Sequence, residues 1–196
     1  MPVREGREYR DIALERFEAT GGEGGYIVEG YATVFDKPYE FGRGTYEVIS
    51  SGAFDGADMS DVIFQYDHEG MVMARQRNNT LAVLPDERGL YVRADLGGSE
   101  EGRALHEAIK NGLVDRMSWG FTVAEDGWSY DPATRTSTVT KVEKVYDVSA
   151  VSIPACDYTS INARSYLDGA IEEAEARESR LCEAARKRAA IRLRFV

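Results

Sequence analysis

From Arg10 to Ile153 the chain alternates apolar and polar residues in short runs, with turn residues between them, the signature of β-strands rather than helices. Arg10–Phe17 and Tyr26–Phe35 read as strands, and the flexible Gly21-Gly22-Glu23-Gly24-Gly25 between them predicts a hairpin. A loop rich in glycine and aromatic residues follows Asp36-Lys37-Pro38 and ends in Tyr46-Glu47-Val48-Ile49. Val62–Tyr66, Met71–Arg75, Thr80–Leu84 and Leu90–Asp95 are further predicted strands, parted by Asn78-Asn79 and Pro85-Asp86-Glu87-Arg88-Gly89. Strands resume with Met117–Glu125. A hairpin across Asp131-Pro132-Ala133 leads into Thr136–Val145, and Asp147–Ile153 runs on to Pro154.

The period becomes helical once inside this β pattern. Ser99 can cap the helix, Glu100 and Glu101 suit the positive end of its dipole, Lys110 suits the other end, and Gly112 terminates it. Ala104, Leu105, Ala108 and Ile109 form the expected apolar stripe, which leaves His106 near Arg103 and Lys110 on the polar side, exposed to solvent. After Ser165 the composition shifts to Ala, Glu and Arg. Acids early (Glu172, Glu173, Glu175, Glu178) and bases late (Arg186, Lys187, Arg188, Arg192, Arg194) predict one long helix over Asp168–Arg194. The fold class is mainly β (α+β), with one domain over residues 1–164 and a charged helical tail over 165–196.

Composition narrows the function. With 24 basic and 34 acidic side chains the formal charge is −10, which repels a phosphate backbone and argues against general nucleic-acid binding. No apolar run approaches the roughly 18 residues of a membrane span, and the charged N-terminal stretch does not read as a secretory signal, so the protein is expected to stay in the compartment that makes it. Cys156 and Cys182 lie far apart and suggest neither a zinc site nor a disulfide framework. His68 and His106 are the only histidines, so any imidazole chemistry must use one of them.

His68 closes an apolar strand at a turn, where the backbone is held rigidly, and the reference pKa of an imidazole, about 6.5, suits general-base work. Ser118 stands among Met117, Trp119 and Phe121; alternation puts it on the opposite face, beside Gly120, which leaves room for a close approach. An acid is needed to orient the imidazole. Asp67, as the strand neighbour of His68, would point to the other face. Glu143 and Asp147 share one parity on a later strand, and Asp147 borders an otherwise apolar run, where donation from a histidine N–H would compensate its burial.

Four stretches, in this order and spacing, resemble the tailed-phage prohead (head maturation) serine proteases, whose fold is related to the herpesvirus assemblins. They are Gly30-Tyr31-Ala32-Thr33-Val34-Phe35; Asp67-His68 followed by Met73-Ala74-Arg75; Gly89-Leu90-Tyr91-Val92 followed by the helix and Gly112–Phe121; and Asp147–Ala155. The resemblance implies an assemblin-like β-barrel with a helix between the histidine and serine strands, plus the C-terminal helix. It implies Ser118 as nucleophile, His68 as base and Asp147 as third member. Two positions depart from the family pattern: Ala74 stands where glycine is frequent, and Asp147 where glutamate is usual, which keeps Glu143 as a rival. Assemblins take oxyanion contacts from an arginine-bearing loop after the last strand; here that loop reads Pro154-Ala155-Cys156-Asp157, which points to the N–H of Ala155 or Cys156.

The implied substrates are the scaffolding segment of the major capsid protein, separate scaffold proteins and the protease itself, cleaved inside the assembling prohead in the host cytoplasm. A homodimer is implied by analogy with assemblins; no cofactor, metal, nucleic acid or membrane is. The tail would serve as an encapsidation or scaffold-contacting segment. Two other readings stand beside this one: a non-catalytic capsid-assembly or scaffold protein of the same fold, and a thiol protease using Cys156, which lacks a basic neighbour to lower its pKa.

Overall fold

The structure, a computed structural model, describes residues 7–12, 18–20, 25–42, 44–152, 176–177 and 179–180. Its strands lie in three sheets. The first has the order β1 (Glu8–Ile12), β10 (Arg116–Val123), β13 (Val142–Val151), β6 (Ile63–Tyr66) and β7 (Glu69–Arg75). The second runs β11 (Trp128–Asp131), β12 (Thr136–Val139), β5 (Thr45–Ile49) and β4 (Tyr39–Gly42). The third runs β2 (Glu18–Thr20), β3 (Ile27–Val34), β9 (Gly89–Asp95) and β8 (Leu81–Pro85). The mainly β class holds, but the expected barrel does not close among the described residues. Each sheet ends in two strands that find no ladder partner in the next, so the layers meet through side chains instead of one continuous hydrogen-bonded wall.

β13 lies at the centre of the first sheet, antiparallel to β10 and parallel to β6. A strand flanked on both sides reads as a nearly unbroken apolar run, and Val142, Val145, Val148, Ala150 and Val151 are all buried. Asp147 and Ser149 are the buried polar exceptions on it. Along β10, Met117, Trp119 and Phe121 face the core with no exposed surface, and the rings of Trp119 and Phe121 stack with centroids 3.8 Å apart. Burying three such side chains contributes about 1.5–3 kcal/mol each, enough to hold the strand rigidly in its sheet.

Helix α1 (Glu100–Lys110) starts and stops as its sequence predicts. Ser99 Oγ accepts from the Gly102 N–H, and Gly112 at φ 69° ends it with paired bonds from Gly112 N to Ile109 O and from Leu113 N to Ala108 O. The expected phase is wrong. The buried stripe is Gly102, Leu105, His106 and Ile109, while Ala104 is exposed. Gly102 sets this phase, because a Cβ there would overlap the Leu96 carbonyl; the helix therefore presses its glycine edge inward. His106 follows it into the interior, edge-on to Tyr26 with centroids 5.4 Å apart, and both its ring nitrogens lack a hydrogen-bond partner.

The expected N-terminal hairpin also divides. β2 pairs antiparallel with β3, but β1 leaves that sheet and pairs with β10. In that position Arg10 of β1 is buried against Glu47 of β5. The predicted tail helix lies outside the described residues except for Ala176, Arg177, Ser179 and Arg180, which are helical. Among the described residues no helix is long and apolar enough to cross a membrane.

Candidate active site

The β10–β13 register pairs Ser118 with Ser149 and Gly120 with Asp147. These four residues share one face of the sheet, opposite Met117, Trp119 and Phe121. Asp147 reaches that face by regular alternation from Ser149, and two bulges beyond it remove Glu143 from the same face. The ladder skips Tyr146 between the Gly120–Asp147 and Phe121–Val145 pairs, and skips Glu143 between Thr122–Lys144 and Val123–Val142. Straight alternation would give Glu143 and Asp147 one parity; the bulges give Asp147 and Lys144 one face, and Glu143 is exposed. Asp147 is 3% exposed.

His68 arrives from the β6–β7 hairpin. Tyr66 pairs with Glu69 across a two-residue loop, Asp67-His68, in which both residues have positive φ, 48° and 59°. That pair of signs defines the turn type favoured by the twist of a hairpin, although it holds a histidine where glycine or asparagine is commoner. Such a conformation costs about 1–3 kcal/mol and turns the imidazole back over the sheet.

There the ring meets both partners. Nε2 lies 2.6 Å from Ser118 Oγ, and Nδ1 hydrogen-bonds Asp147 Oδ1. With Asp147 as carboxylate, Nδ1–H donates and Nε2 is left to accept the hydroxyl proton. Ser149 Oγ donates a second bond to Asp147 Oδ1 at 3.0 Å, which fixes the carboxylate from beneath. Tyr9 of β1 packs its ring edge against the imidazole with centroids 4.5 Å apart. Gly120 is the floor of the arrangement: a Cβ there would overlap Asp147 Oδ2 and lie 2.8 Å from Tyr9 Cε1. The space that the sequence suggested for an approaching substrate is occupied by the acid and by Tyr9.

Of the three sequence-predicted residues, His68 thus touches both Ser118 and Asp147. Ser118 has no exposed surface, and the His68 side chain is 12% exposed. Asp67 does turn away from the ring, but as a turn residue and not as a strand neighbour; its carboxylate binds Ser152. Ala155, Cys156 and Cys182 lie outside the described residues. Among the described residues no three His, Cys, Asp or Glu side chains are grouped to hold a metal ion.

Ser149 and Tyr9 were missed by sequence reasoning. Ser149 carried a signal, a hydroxyl two residues after Asp147 in an apolar strand. Tyr9 carried none, because its place depends on β1 crossing to β10.

The arrangement can perform nucleophilic acyl transfer: a hydroxyl with a base, and a base with an orienting acid. The prohead protease of Enterobacteria phage HK97 is 32% identical to this chain over 158 residues, which cover 79% of this chain and 66%, just under two thirds, of that protein. No solved structure matches the chain significantly. Residues 13–171 match the sequence profile of the caudovirus prohead serine proteases, and they take in His68, Ser118 and Asp147. The chain belongs to the caudovirus prohead serine protease family.

Proposed function

We propose that this protein is a serine endopeptidase of prohead maturation that works through an acyl-enzyme on Ser118. The observation that carries the reading is the continuous chain Ser118 Oγ, His68 Nε2, His68 Nδ1, Asp147 Oδ1, drawn from two separate strands and a turn. Ser118 Oγ attacks the scissile carbonyl as His68 takes its proton, and the imidazolium formed is stabilised by Asp147. His68 then protonates the leaving amine, and the same base activates the water that releases the acyl group. Asp147 receives only neutral donors before attack, from His68 and Ser149, so its charge is matched only once His68 is protonated. That difference favours the tetrahedral state over the resting one.

The substrates that fit the family are the scaffolding segment of the capsid protein, scaffold proteins and the chain itself, cleaved within the assembling prohead in the host cell. The chain would act there as a homodimer in the manner of assemblins, with the charged tail as its scaffold contact. Ser118→Ala and His68→Ala test the chemistry. Each lowers cleavage by about 10⁶ and leaves prohead assembly intact, so that uncleaved capsid protein accumulates. Normal head maturation in both variants would instead favour a non-catalytic assembly protein. Labelling by a fluorophosphonate together with resistance to iodoacetamide separates Ser118 from a thiol nucleophile at Cys156.

A further inference from the structure

We propose that Asp67 is a positioning residue, whose carboxylate clasps Ser152 and thereby holds the turn bearing His68 against the strand bearing Asp147. The inference rests on His68 acting as the base. The parallel ladder between β6 and β13 ends at the Tyr66–Ala150 pair, one residue before the turn. Beyond it, the turn is joined to β13 by one backbone bond, Asp67 N to Ala150 O at 2.9 Å. The Asp67 side chain adds two more: Oδ1 accepts from the Ser152 N–H at 2.9 Å, and Oδ2 accepts from Ser152 Oγ at 3.0 Å.

His68 has to reach over β13 to Ser118 of β10, so its ring hangs two strands away from its own. A small rotation of the turn therefore becomes a large displacement at Nε2. Both turn residues already hold positive φ, and only a well-anchored turn keeps that conformation in one orientation. Asp67 supplies the anchor. It also ties down Ser152, the last described residue before the loop expected to carry oxyanion donors. A misplacement of about 1 Å at a reacting group typically costs about 10²-fold in rate, so the clasp acts on the chemical step without touching the substrate.

The test is single-site phosphonylation by a fluorophosphonate, read as a rate constant and as the fraction of molecules labelled. Asp67→Gly removes the clasp while tolerating positive φ, and the rate constant falls about 10- to 100-fold at an unchanged labelled fraction. Asp67→Asn keeps an acceptor for the Ser152 N–H and stays within about threefold of wild type, since asparagine also tolerates this turn. Ser152→Ala loses one of the two bonds and falls between them. A wild-type rate constant in Asp67→Gly overturns the proposal, as does a reduced labelled fraction whose remaining sites react at the wild-type rate, which marks a purely structural role. Equal rates in Asp67→Asn and Asp67→Gly also overturn it. Where Asp67→Gly does not fold, Ser152→Ala decides: slowed labelling at full amplitude supports the clasp, and wild-type labelling removes it. Phosphonylation of Ser118→Ala would strike the catalytic reading itself, independently of Asp67.

Discussion

Tyr9 and Arg10 are neighbours on β1, yet they serve buried polar clusters on opposite faces of the same sheet. On one face Tyr9 walls the imidazole of His68. On the other, Arg10 is 1% exposed and grips the fully buried Glu47, with Nε to Oε1 at 2.5 Å and Nη2 to Oε2 at 3.0 Å, while Nη1 reaches Glu8 at 2.9 Å. Tyr39 donates its hydroxyl to the same Glu47 oxygen. Burial works against the Arg10 cation, but the charge of Glu47, the hydrogen bond to it and the charge of Glu8 outweigh that cost, and its pKa is raised. The guanidinium is therefore held charged against its acids in the resting state. At the other face, Asp147 is opposed by a full positive charge only when His68 takes a proton. One cluster is ion-paired at rest and ties two sheets together; the other, on the proposed mechanism, gains its cation only during the reaction.

That contrast predicts that damage to the two faces reads out differently. The largest effect belongs to Gly120. In Gly120→Ala the new methyl group displaces the Asp147 carboxylate from His68, and kcat falls by about 10² to 10⁴, the upper figure being typical of a lost orienting acid. The same overpacking costs stability of only about 1–3 kcal/mol. Full proteolytic or phosphonylation rates in Gly120→Ala would break the comparison. Next comes Arg10→Met, which strands Glu47 as an unpaired buried charge. Urea unfolding should show a loss of about 3–5 kcal/mol, while the folded molecules react with the fluorophosphonate at the wild-type rate constant. Arg10→Met combined with Glu47→Gln should recover part of that stability, because the charge of the fully buried Glu47 is removed together with its cation. A slowed rate constant in the folded fraction of Arg10→Met would show that the two faces are coupled through β1.

What was legible in the chain follows the same division between local and distant forces. Period-two alternation puts Ser118 opposite Met117, Trp119 and Phe121, and the β10 burial pattern agrees, because a strand needs no partner to set the direction of its side chains. Ser99 and Gly112 mark the ends of α1 because capping is decided within one turn. The phase of that helix was misread because glycine counted as neutral and histidine as polar, whereas Gly102 allows the closest approach and carries His106 inward. Bulges at Tyr146 and Glu143 take Glu143 off the face it would otherwise share with Asp147, and no local pattern announces them. The crossing of β1 brings Arg10 to Glu47. The two lie far apart along the chain, so that only the folded sheets reveal the pairing.

A third charge pair completes the comparison at its exposed end and carries the smallest effect. Asp58 lies on the surface, where the hydrogen bond from Lys144 Nζ at 2.6 Å and those from Ser60 hold its carboxyl well below the usual range. Its folded pKa is thus lower than its unfolded one. The linked stability is present above the ordinary carboxylate pKa of about 4 and is lost as pH falls toward the folded value. Melting followed from neutral pH to about pH 3 should therefore show Lys144→Met losing slightly less stability than wild type. Because the pair is solvent-exposed, about 1 M salt should erase even that difference, whereas the loss in Arg10→Met should persist, since ions screen a surface pair but do not reach a desolvated one. An equal salt response in the two variants would mean that Glu47 is hydrated once Arg10 is gone, and the distinction between a closed structural cluster and an open surface pair would fail.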